Sequence, residues 1–262
     1  MHKVPTTLCR YRSLRGETKA RTQRIIETGL HYFASPGSFN DPFDCRPNFT
    51  LSGSEEAVRQ YLLGMLARQE LGLSEAERSA QVDAVLRDPE RDPRIPQNSR
   101  LAAAAYDVLV TSRAGVLCLS EVHDSILMWS HYADCHAGVC LVYDTTGSFF
   151  AQAQPVRYQR TRPSVNPVVH TTDEMLHNAI FTKSEEWAYE KEWRILHYQQ
   201  GKGERQAPTS SLKAIILGIN VSGSDRQLVQ AWANASAAKP RVFRAFLSDT
   251  EFAVSVPGLG DA

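Results

Sequence analysis

A mixed α/β fold of the α+β kind is what this sequence predicts, on three observations. Short continuous apolar runs, at 115–120 and 213–218, have the length of buried strands. Helical periodicity with capping residues fills 54–112: Ser54 precedes Val58, Tyr61, Leu62, Met65 and Leu66, and Ser74 with Glu77 forms a capping box ahead of Val82, Val85 and Leu86. Composition is that of an ordinary globular protein, 42% hydrophobic and 22% charged over 262 residues. That length suits a single domain over 1–262, with 54–112 as a helical insertion or lid within it.

The elements follow in order. Leu8 to Leu14 predicts a short strand, and Thr18 to Thr28 a helix closed by Gly29 as its C′ residue. His31 to Ala34 predicts a second strand, ended by Ser35-Pro36-Gly37. Phe39-Asn40-Asp41-Pro42-Phe43-Asp44 is a turn-rich loop. After the two capped helices, a third is expected over about Ser99 to Leu109. The run 115–120 is a buried strand, and Asp124 or Ser125 caps a helix through Ile126, Leu127, Trp129 and Tyr132. Gly138 releases the chain into the strand Val139 to Tyr143. Val156 to Tyr158 is read as a further short strand and Asp173 to Phe181 as a helix. Tyr189 to Tyr198 alternates like a strand, and Lys213 to Gly218 is another. Asp225 to Ala235 is helical, and Arg241 to Val256 returns as one or two strands.

Composition also excludes. Lys+Arg and Asp+Glu are both 29, so no global charge draws the chain to nucleic acid or an anionic membrane. No apolar run approaches the roughly 20 residues that span a bilayer. The first 24 residues are polar and basic, without a signal-peptide core, so a cytoplasmic chain without a membrane partner is expected. Five cysteines are an odd number without a disulfide framework, which fits reduced thiols. Cys118, His123, His131, Cys135, His136 and Cys140 match no standard zinc spacing, and no metal is expected.

The stretch from Trp187 to Leu196 carries the most chemistry. In a strand Glu190, Glu192 and Arg194 share one face, since alternate side chains point the same way. Two carboxylates at i and i+2 repel, which can divide their roles: one deprotonates, the other stabilises positive charge. A sheet face of Glu–Arg pairs gives the same pattern. Near the N-terminus Arg10 and Arg12 share a strand face, and arginine's planar fork suits phosphate. Six basic residues and one acidic one lie between Arg10 and Arg24, a run equally compatible with a solvated basic helix. Ser120 ends a buried strand, with no nucleophile elbow around it. Asn40, Asp41 and Asp44 could bind a divalent cation or shape a rigid turn.

Several blocks together resemble a bacterial family catalogued as domain of unknown function 2971. They are Tyr11-Arg12-Ser13-Leu14, Phe33-Ala34-Ser35-Pro36 into Phe39-Asn40-Asp41-Pro42-Phe43-Asp44, Leu117-Cys118-Leu119-Ser120-Glu121, Met128-Trp129-Ser130-His131-Tyr132-Ala133, Gly138-Val139-Cys140-Leu141, and Trp187 to Arg194. A more distant likeness is to ADP-ribosyltransferases. Arg on an early strand, Ser on a middle strand and Glu-x-Glu on a late strand resemble that superfamily's arginine–serine–glutamate order.

The second resemblance implies a split β-sheet core with the helical insertion, and NAD as substrate. It implies an ADP-ribosyltransferase or NAD glycohydrolase acting on an intracellular protein or nucleic acid, in a toxin or phage-defence setting. Glu192 would hydrogen-bond the nicotinamide ribose and stabilise its oxocarbenium-like cation, and Glu190 would orient or deprotonate the acceptor. Ser120 would position Glu192 or the ribose. Arg12, with Arg10, would bind the diphosphate; Tyr32 or Phe33 would stack on nicotinamide and Asn40 would bind near it. Two other readings stand beside this one. A metal-dependent nuclease would use Asp41, Asp44, Glu190 and Glu192 as ligands and the Arg10–Arg24 run on phosphates. A non-catalytic binding module would use the same polar cluster structurally.

Overall fold

Alternation along the first strand sets the layers of the molecule. In a computed structural model that describes residues 3–69, 71–98, 103–104, 110, 113–147 and 149–259, strand β1 (Thr7–Arg12) turns Leu8 into one apolar cluster and Cys9 and Tyr11 into another. The chain then forms α1 (Gly16–Thr28), β2 (Leu30–Phe33), β3 (Asn48–Phe49), α2 (Glu55–Arg68) and α3 (Glu75–Arg87). There follow β4 (Ala114–Ser120), α4 (Ile126–Tyr132), β5 (Val139–Asp144), β6 (Gln154–Pro155), β7 (Arg157–Gln159), β8 (Ser164–Val165) and α5 (Thr172–Ile180). The last elements are β9 (Thr182–Ser184), β10 (Glu192–Tyr198), β11 (Gly203–Gln206), β12 (Leu212–Leu217), α6 (Gly223–Ala235), β13 (Arg241–Arg244), β14 (Phe246–Leu247) and β15 (Val254–Ser255). The mixed α+β class is therefore as expected.

Two compact units divide the chain. The first takes residues 1–38, 113–158 and 185–262; the second takes 39–112 and 159–184. The helical stretch at 54–112, expected as an insertion, lies inside this second unit, which also takes 39–53 and 159–184. The third helix expected over 99–109 lies almost wholly outside the described residues.

In the first unit a seven-stranded sheet, counted among the described residues, runs β13-β12-β5-β1-β4-β10-β6. Only β12 and β13 pair in parallel; β5, β1, β4 and β10 are antiparallel neighbours. Six residue pairs join β1 to β5, from Thr7↔Asp144 to Arg12↔Val139, but one pair, Cys9↔Ser120, joins β1 to β4. The sheet opens beyond that pair, where the β4 edge is instead met by Ala34 at Val116. On one face Leu117, Leu119, Trp193 and Ile195 pack with Ile25 and Ile26 of α1 and Val229 and Trp232 of α6. On the other face Cys9, Tyr11, Cys140 and Ile216 pack with Met128 and Trp129 of α4.

Local signals in the sequence account for most boundaries. Helix α1 ends at Gly29, which adopts φ 74° and donates its N–H to Ile25. Ser54 caps α2, and Ser74 and Glu77 form the capping box of α3. Ser125 caps α4 by accepting from the Met128 N–H. Gly138 is required by close approach, because a Cβ there would collide with the Arg12 carbonyl of β1. Gly138→Ala is expected to destabilise the protein by roughly 1–3 kcal/mol through that clash, read as a lower urea midpoint with an unchanged m-value.

In the second unit α2 and α3 bury Val58, Val82 and Leu86 with Leu51. Arg59 pairs with Asp83 at 2.8 Å, and β3 pairs in parallel with β8. No described helix is long and apolar enough to cross a membrane.

Candidate functional site

The strand expected over Tyr189 to Tyr198 begins only at Glu192. Glu185–Glu190 is a 3-10 turn, and Lys191 takes φ 42°, in the left-handed region. The expected single face of Glu190, Glu192 and Arg194 is thereby corrected: the two carboxylates come from a turn and a strand, separated by a kink. From β10 onward alternation holds. Glu192 and Arg194 face away from Trp193 and Ile195, and Glu192 pairs in register with Ser120 of β4.

Ser120, Glu190 and Glu192 are nevertheless brought together. The Arg194 guanidinium donates from Nε to Glu192 Oε1 at 2.7 Å and from Nη2 to Oε2 at 2.8 Å. This is a bidentate pair, and both side chains are buried, 0% and 5% exposed. Ser120 Oγ donates to the Glu190 carbonyl at 2.6 Å and accepts from the Val122 N–H at 3.1 Å. It holds the backbone of the turn rather than the Glu192 carboxylate. Tyr132 of α4 donates to Glu190 Oε1 at 2.6 Å, and the Glu192 N–H donates to Tyr158 Oη at 2.7 Å. Neither Tyr132 nor Tyr158 carries a separate signal in the residue order, because a tyrosine near an apolar run reads as core until its hydroxyl partner is known.

Arg10 and Arg12 lie on the other face. Alternation puts them with Leu8, opposite Cys9, and Cys9 shares its face with Ser120 through their pairing. The one cleft expected for Arg12, Ser120 and Glu192 is thus corrected. Cys9, Ser120 and Glu192 line up across three adjacent strands, so Arg10 is a neighbour of that row in the sheet yet points away from it. Arg12 is tied to α1, donating from Nε to Thr22 Oγ1 at 3.2 Å and from Nη2 to the Thr18 carbonyl at 3.5 Å.

Around the arginines stand His31 of β2 and Tyr143 of β5, each 1% exposed, with ring centroids 5.3 Å apart. Among the described residues no carboxylate pairs with Arg10 or Arg12. Burial lowers the pKa of Arg10 and takes that of Arg12 down to about 9, Arg10 adding repulsion to Arg12. Burial, then the charges of Arg10 and Arg12, lowers His31 to about 3. Burial raises the Tyr143 phenol.

The His31 shift has a definite sign. An unfolded histidine takes up a proton below about pH 6.5, while the native ring does not until about pH 3. The stability it supports is whole above pH 6.5 and is lost as pH falls, by at most about 1.4 kcal/mol per unit. His31→Phe is expected to lose about 2–3 kcal/mol less than the native chain between pH 7 and pH 4.5, compared by urea denaturation at both values.

The remaining expected residues are scattered. Phe33 is 0% exposed in the apolar core, so the stacking role given to it is corrected. Tyr32 is half-buried and lies under the Arg21 guanidinium, 4.4 Å from the ring centroid. Asn40 is exposed in the second unit. In that unit Asp41 Oδ1 accepts from the Phe43 N–H, the turn role weighed for it, and buried Asp44 pairs with Lys183 at 3.6 Å. Among the described residues no group of three or more His, Cys, Asp or Glu is placed to hold a metal ion.

Fold and site together define an α+β protein with a buried carboxylate–arginine cluster on one sheet face and a partly buried cationic cluster on the other. Residues 128–195 match the family described as Protein of unknown function (DUF2971), which supports the assignment to that family. The matched segment carries Tyr132, Glu190, Glu192 and Arg194, and leaves out Arg10, Arg12 and Ser120. No curated protein and no solved structure matches the chain.

Proposed function

We propose that the chain consumes NAD, as an ADP-ribosyltransferase with an intracellular protein or nucleic-acid acceptor or as an NAD glycohydrolase. The observation that carries this reading is the row Cys9–Ser120–Glu192, which sets the buried Glu190/Glu192 pair beside the arginine strand where β1 and β4 part. The arginine–serine–glutamate order supports it. The arginines face the other way, so the reading rests on the residue order and the acid pair, not on a shared one-sided cleft.

In this reading Glu192, oriented by Arg194, stabilises the cationic ribose left when nicotinamide departs. Glu190, oriented by Tyr132, directs or deprotonates the incoming nucleophile. Ser120 fixes the turn that carries Glu190. Arg10 and Arg12 supply the positive charge for the diphosphate. Phe33 takes no part, since its ring is inside the core.

The test is incubation of the chain with nicotinamide-labelled NAD, with and without cell extract, beside Glu192→Gln. Release of nicotinamide that depends on Glu192 supports the proposal. No NAD binding at millimolar concentration ends it.

A further inference from the structure

Buried arginines in folded proteins are paired, because a guanidinium taken from water without a counter-charge carries a large desolvation cost. Arg10 and Arg12 of the first unit are partly buried, and the Arg10 fork reaches into the interior. They stand side by side on one face of β1, and no carboxylate neutralises either. Arg10 Nη1 is buried without a hydrogen-bond partner in the protein. So are His31 Nδ1 and Tyr143 Oη.

These three orphaned atoms belong to one neighbourhood. Tyr143 is paired with Leu8, two residues from Arg10 on the same face, and His31 packs on the Tyr143 ring. Phe149 and Phe150 lie against His31, at 6.2 and 5.7 Å between centroids, and keep the neighbourhood apolar. Two neighbouring fixed cations, a phenol hydroxyl and an imidazole N–H offer donors here, and no carboxylate among the described residues accepts from the arginines.

We infer that Arg10, Arg12, His31 and Tyr143 form a site for a phosphate group, held in the first unit on the face opposite Glu192. A phosphate dianion matches the charge of two guanidinium groups, and its several oxygens can accept from both forks and from the phenol. A carboxylate carries half that charge and two oxygens. The burial that lowers His31 keeps its ring neutral, and the Tyr143 phenol keeps its proton, so both can donate. Arg12 is held in place by Thr22 and Thr18, which leaves Arg10 as the more available fork. The inference shares the arginines with the NAD reading but needs no dinucleotide and no turnover.

The measurement is binding of inorganic phosphate by the whole chain, followed by calorimetry and by thermal shift in phosphate-free buffer, with acetate as the control anion. Native protein should bind phosphate and gain melting temperature with it, and bind acetate at least about tenfold more weakly. Arg10→Met should melt no lower than native protein without phosphate, since it removes a partly buried charge that no carboxylate compensates, and should lose phosphate affinity at least about tenfold. Tyr143→Phe, which keeps the ring and removes the hydroxyl, should weaken phosphate by about three- to tenfold. No phosphate binding by native protein at tens of millimolar, or equal binding by Arg10→Met, overturns the site. Phosphate binding without nicotinamide release from NAD keeps the site and removes the NAD reading. Glu192-dependent release with no phosphate binding does the reverse.

Discussion

Arg194→Met is expected to lower the unfolding free energy by about 3–5 kcal/mol. The guanidinium is fully buried, and it makes two bonds, at 2.7 and 2.8 Å, to a carboxylate that is itself 5% exposed. Removing the arginine alone takes the cation from a buried carboxylate on the face of β10 opposite Trp193 and Ile195. The double variant Glu192→Gln/Arg194→Met should recover much of the loss, because neither member of the pair is then left without the other. Denaturation of the four chains closes the cycle. Additive losses would mean that the two side chains do not act as a pair.

Glu192→Gln is expected to cut nicotinamide release by about 10²–10⁴-fold, the scale for removing one positioned acid–base or electrostatic group. Glutamine keeps the shape of the side chain and one acceptor for Arg194, so the comparison belongs below the variant's own melting transition. Chemistry and stability are then separable. Arg194→Met should also slow release, but as a positioning residue whose effect lessens when the Glu192 carboxylate is held by other contacts. Ser120→Ala should act through the Glu190 turn, since its hydroxyl bonds the Glu190 carbonyl. Unchanged release in Glu192→Gln would take the carboxylate out of the reaction and leave the cluster as a structural feature of the sheet.

Much of this was legible in the residue order alone. Caps at Ser54, Ser74 and Ser125 and the stop at Gly29 are local, since each satisfies backbone groups within a turn of itself. The apolar runs gave β4 and β12 because a buried strand needs little more than continuous apolar character. The Glu–Arg pair within 192–194 followed from period-two alternation. One residue of positive φ, at Lys191, was enough to detach Glu190 from that pattern, and nothing in Tyr-Glu-Lys-Glu-Trp announces it.

Strand partners and sheet faces were decided by tertiary structure. Alternation shows that Arg10 and Arg12 share a side, but the side itself depends on which strand lies next to β1 and in what register. The pairs Cys9↔Ser120 and Ser120↔Glu192 join residues 111 and 72 positions apart, and they put the arginines behind the acids instead of beside them. The meeting of His31 and Tyr143 with the two arginines is of the same kind. Local sequence fixes periodicity and caps because those hydrogen bonds close within a few residues; long-range pairing fixes which polar groups meet, because it is chosen by the packing of the whole core.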